Sequence, residues 1–216
     1  MHPVIRIVLF ISLVLVSGGG TAPGQEASAS LAKPNPAPTP IPLGKVALEA
    51  QSALASLQEI DASLSKDQSS ADGIARTLLN LTNEIDARVA SDTRLLTTSL
   101  SIDLRYWLKI NWQSFGDSLL VLARELTKHA TGLEEQLARL DQLNKTWQAT
   151  LQSAKQPDTP PPVLQKVQSL VDSIERTRQA AESVLAHVLT LQSRLSEEEA
   201  RVRTVLSSIE QAEIGH

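Results

Sequence analysis

Cysteine is missing from all 216 residues, which removes disulfides, thiolate nucleophiles, thiolate zinc sites and lipidation at a lipoprotein cysteine together. Aromatic residues supply only 3% of the chain. Leu, Ala, Ser, Gln and charged residues dominate instead, a composition that suits extended helices with thin apolar seams better than a thick globular core. Histidine occurs only as His2, His129, His187 and His216, and no two have the i, i+4 spacing of a helical metal site, so no metal site is expected. No segment alternates with the period of two that a half-buried strand needs. The formal charge is −4, which argues against nucleic acid as a partner. Gly-rich phosphate loops, nucleophile elbows and Ser-His-Asp constellations are also missing. Glu134-Glu135 and Glu197 to Glu199 are carboxylates that solvated helix faces explain. No catalytic activity, cofactor or small-molecule ligand is therefore expected.

Long apolar runs are missing too. After a short basic start with Arg6, Ile7 to Val16 gives about ten apolar residues closed by Ser17 and three glycines, whereas a spanning helix needs about 20. This is a secretory signal pattern. Ala22-Pro-Gly24 offers small residues for cleavage after Gly24, so residues 1–24 read as a signal peptide and the mature chain as having no transmembrane helix. Residues 25–43 carry Pro34, Pro36, Pro38, Pro40 and Pro42 between small residues, an extended Pro/Ala-rich linker.

The rest of the chain is ordered by one stretch, residues 119–151. Leu119, Leu126, Leu133, Leu140 and Trp147 recur every seven positions, with Leu122, Leu137, Leu143 and Leu151 as companions. The spacing returns as Val167, Ile174, Ala181, Val188, Leu195, Val202 and Ile209. A narrow seam on a helix in water needs another helix to cover it, and the proline-rich turn at 156–162 folds one stripe back on the other. The expected fold is all-α: an elongated antiparallel helical hairpin or coiled-coil bundle with additional amino-terminal helices. Helical segments fill 44–155, and the second long helix fills 163–214. Leu119, Leu126, Leu133, Leu140, Trp147, Val167, Ile174, Val188, Leu195, Val202 and Ile209 form the expected interaction seam. The four leucines match a zipper, but the basic helix of a DNA-binding zipper is not there.

Upstream, Ala50, Ala53, Leu54, Leu57, Ile60 and Leu64 trace a helix. An interruption is expected at Asp67 to Gly73, where Ser69 and Asp72 have capping-box spacing. Ser91 and Asp92 are candidate caps of a third segment, and Val89 to Leu100 reads equally well as turn or helix. Tyr106, Trp107, Trp112 and Phe115 place four aromatics within ten residues. Packing explains them better than a membrane contact, since Trp112 and Phe115 continue the stripe and Arg105 and Lys109 make a thin basic belt. Asn144, Arg178 and Glu198 interrupt the seams, as register-fixing polar residues do in coiled coils.

The run Leu122-Ala-Arg-Glu-Leu-Thr-Lys-His-Ala-Thr-Gly-Leu-Glu-Glu-Gln-Leu-Ala-Arg-Leu-Asp-Gln-Leu, then Thr146-Trp-Gln-Ala-Thr-Leu151, Val188-Leu-Thr-Leu-Gln-Ser-Arg-Leu195 and Val205-Leu-Ser-Ser-Ile-Glu-Gln-Ala212, resembles the exported amino-terminal helical region of large bacterial mechanosensitive channels of the small-conductance family. The resemblance covers about the last hundred residues and rests most on the tryptophan placements and the Leu-Thr-Leu-Gln-Ser phrase. It implies a periplasmic module acting in assembly or sensing, partnered by itself or by a membrane-bound channel subunit. The pore elements of such channels do not occur here, so this polypeptide is not expected to conduct ions alone. The alternative reading is a periplasmic adaptor or tethering coiled coil of an envelope complex.

Overall fold

The computed structural model describes residues 38–96, 101–157 and 159–214; residues 1–24, expected to be a signal peptide, and residues 25–37 of the expected linker lie outside them. Three long helices, α1 Val46–Leu96, α2 Ile102–Ala154 and α3 Pro161–Ile214, account for nearly all of this region, and among the described residues there is no strand. At about 1.5 Å per residue each helix is about 75–80 Å long. A short 3-10 turn, Leu43–Lys45, leads into α1. Ile41 is already docked by then, its N–H donating to Thr150 Oγ1 at 2.9 Å and its side chain packing on the core.

Helix directions follow from which residues meet. Lys109 Nζ lies 3.3 Å from Glu210, and Gly116 lies beside Val202, so α2 and α3 run antiparallel. Asp61 meets Thr177, Asp72 faces His187 and Asp86 meets Arg201, so α1 runs parallel to α3. Ser63 to Gln136, Asp67 to His129 and Asp92 to Trp112 make α1 antiparallel to α2. The result is an up-down-up bundle. The α2/α3 contact is the most extensive, α1 rests mainly on α3, and the α1/α2 contact is the sparsest.

The expected interruption at Asp67 to Gly73 is not there: α1 is continuous across it. Ala71 and Ile74 are buried in the core on either side of Gly73. Ser69 Oγ donates to the Ser65 carbonyl at 2.9 Å, and Gln68 Nε2 donates to Asp72 Oδ1 at 3.0 Å. Polar residues that looked like a cap thus bond within the helix or across it, and packing outweighs weak local propensity.

The break falls later. Ser91 and Asp92 sit in the last turns of α1 rather than at the start of a third segment, while Ser101 is the cap of α2, its Oγ accepting from Leu104 N–H at 3.3 Å and its carbonyl from Arg105 N–H at 3.1 Å. At the other end of α2, Pro161 and Pro162 belong to the first turn of α3, two residues before the expected start. Proline is tolerated there because the first helical N–H groups have no partner inside the helix. The Pro160 carbonyl accepts from Val163 and Leu164 N–H.

Candidate interaction surface

All eleven residues of the expected interaction seam are buried, from Leu119, Leu126, Leu133, Leu140 and Trp147 on α2 to Val167, Ile174, Val188, Leu195, Val202 and Ile209 on α3. They belong to one continuous core shared with Val46, Ala50, Leu57, Leu64, Ile74, Leu78 and Ile85 of α1. The seam is therefore consumed inside the chain and offers nothing to an outside partner. Leu54, expected in the α1 stripe, stands exposed instead, because Ala53 and Leu57 fill the inward positions beside it.

Polar side chains tie α1 to both neighbours. Thr177 Oγ1 donates to Asp61 Oδ1 at 2.9 Å, and Gln136 Nε2 donates to Ser63 Oγ at 2.9 Å. His129 Nδ1 lies 3.0 Å from Asp67 Oδ1, within hydrogen-bond distance. His187 Nε2 faces Asp72 at a longer 3.5 Å. Of the two histidines only His129 hydrogen-bonds to α1, His187 Nε2 being buried without a hydrogen-bond partner, and among the described residues no group of three or more acids and histidines is placed to hold a metal ion.

The polar interruptions divide by role. Arg178 forks onto Glu175 and Glu182 of its own helix at 2.7 and 2.6 Å, and that hydrogen bond holds the Glu175 carboxyl below its usual range while raising the arginine. Glu198, buried, binds Arg201 at 2.9 Å, and Arg201 reaches on to Asp86 of α1, whose hydrogen bond is the main cause that raises the guanidinium pKa, with Glu198 adding to it. Glu198 therefore helps set the α3/α1 register, whereas Arg178 bonds only along α3. Asn144 Oδ1 is buried with no hydrogen-bond partner.

The aromatic group at the start of α2 splits in two. Trp112 is fully buried, its indole N–H donating to Asp92 Oδ2 at 2.9 Å, and its ring lies 5.5 Å from Phe115. Tyr106 and Trp107 do not pack inward: they stand exposed with Ile102 and Ile110. Positions 102, 106 and 110 are four apart and share a helix face, with Trp107 flanking it, and that face points away from the side that buries Leu108, Trp112 and Leu119. The Arg88 guanidinium lies 5.2 Å over the Trp107 ring. Arg105, Lys109, Gln113 and Ile209 line the adjoining cleft. Sequence reasoning grouped the four aromatics by proximity; the signal that separates them is the recurrence Ile102, Tyr106, Ile110 opposite Leu108 and Trp112. No helix among the described residues is long and apolar enough to cross a membrane. Comparison with protein-family models, curated proteins and solved structures finds no match for this chain.

Proposed function

We propose that this chain is a non-enzymatic helical module of the exported, periplasmic region of a mechanosensitive-channel-like assembly, acting in assembly or sensing and not conducting ions alone. The observation that carries the reading is that its long seams are satisfied internally, so the module holds its own form and keeps a separate apolar face at the start of α2 for contacts outside itself. The sequence resemblance supplies the channel class. Its protein partner is a membrane-bound channel subunit or a second copy of the chain. Crosslinking in the native host, followed by mass spectrometry, tests this. A mature amino terminus close to Gln25 and a crosslinked membrane-embedded channel subunit or second copy are expected. An intact Met1-His2 terminus in the cytoplasm would overturn it, and crosslinks solely to soluble or outer-envelope components would favour the adaptor reading instead.

A further inference from the structure

We infer that α1 is an exchangeable helix: two copies of this chain form a closed dimer in which each α1 leaves its own α2 and α3 and takes the same place on those of the other copy. The inference does not rest on the channel reading, because only this chain takes part.

The two reversals of the chain are chemically unlike. Pro157, Pro160, Pro161 and Pro162 mark the turn between α2 and α3, and a continuous helix cannot pass through them. Between α1 and α2 the sequence is Thr97-Thr-Ser-Leu100, and from Ile74 to Phe115 the chain holds neither glycine nor proline. Helices commonly end at a glycine that takes the left-handed conformation, and no such residue follows Leu96. Ser101 marks the start of α2, yet no residue type in the sequence marks a stop for α1. In the dimer α1 and α2 of one chain join in line as a single helix. The carbonyls at the end of α1 and the N–H groups at the start of α2, which a helix end leaves without intrahelical partners, then have them.

Helix α1 also has the least to lose by leaving. The α2/α3 contact is the most extensive and the α1/α2 contact the sparsest, and the inward alanines Ala50, Ala53 and Ala71 bury little apolar area each. The contacts that α1 does make return in the dimer. Ser63 with Gln136 and Asp67 with His129 are each placed about symmetrically around residue 99. Two joined helices crossing antiparallel at that point bring both pairs together again, now between copies, with no shift of register. Asp61 with Thr177 and Asp86 with Arg201 are restored in the same way. One twofold axis relates the copies, so the exchange closes at two chains. Tethering opposes it: an α1 on its own short connection is at an effective concentration on the order of millimolar. Exchange therefore grows with protein concentration, and it is slow in buffer because α1 must first open.

The absence of cysteine supplies the test. Ser63→Cys and Gln136→Cys are introduced together, and the purified chain is concentrated toward about millimolar in urea below its unfolding midpoint and returned to buffer. Size exclusion with light scattering separates dimer from monomer, and a short bis-maleimide crosslinker is added to each. A dimer fraction that grows with concentration is expected, crosslinked to twice the chain mass under denaturing conditions, while the monomer stays at single mass. Ser99→Pro should lower that fraction about tenfold or more, since proline is accepted in a reversal and breaks a continuous helix, and the circular dichroism of its monomer should be unchanged. A chain that stays monomeric throughout would overturn the inference, as would a dimer fraction indifferent to Ser99→Pro. So would a dimer whose two cysteines are joined within one chain, because the copies would then lie side by side with α1 unexchanged.

Discussion

Leu140 is fully buried in the second half of α2, and Glu134, less than two turns away, lies exposed. Leu140→Asp places an unpaired carboxylate among apolar side chains, so a loss of several kcal/mol is expected; Glu134→Ala should change stability by less than about 0.5 kcal/mol. Urea unfolding distinguishes the two, and equal midpoints would mean that the core is misplaced. Burial on α2 and α3 was legible residue by residue because a single seven-residue spacing runs unbroken along both. It was less legible at Leu54, Tyr106 and Trp107. An apolar residue beside a stripe can turn either way, and the choice is made by how much of the partner surface its neighbours have already filled.

At the scale of the helix, Gly73 gives the sharpest test. It lies inside the unbroken α1, and a Cβ added there would meet nothing within 4 Å. Gly73→Ala should therefore stabilise the protein by about 0.5–1 kcal/mol, the helix-propensity difference between the two residues, raising the thermal midpoint. A neutral or lowered midpoint would support a real break near that residue. The misreading of Asp67 to Gly73 has a physical source: the features of a cap and of an interhelical contact are the same short polar side chains, and only a neighbouring helix tells them apart. Asp67 meets His129 and Asp72 faces His187, partners 62 and 115 residues away. Pro161 and Pro162 were misread for a related reason, since a proline pair marks a helix start as well as a turn. The Pro-rich reversal and both long helices were legible because prolines and heptads act over local sequence.

For the whole bundle, the three helices are not held equally. Helix α1 contributes alanines at Ala50, Ala53 and Ala71 where α2 contributes leucines and two tryptophans, and it touches α2 least. Hydrogen exchange should accordingly show the amides of α1 opening in a unit that leaves α2 and α3 protected; amides near Ile60 that exchange as slowly as those near Leu133 would refute this. Three helices in alternating directions also leave Val46 and Ile214 at opposite ends of the bundle, with α1 and α3 pointing the same way. Tension applied between those points runs along the helix axes. To yield, α1 must slide past α3 and strip the Asp61, Asp72 and Asp86 contacts together, whereas a two-helix hairpin pulled from its adjacent ends would peel open one turn at a time. Resistance to pulling is set by the barrier to unfolding, and shear raises that barrier by loading every contact at once, so the odd number of helices among the described residues makes the bundle stiffer under end-to-end tension than a hairpin would be.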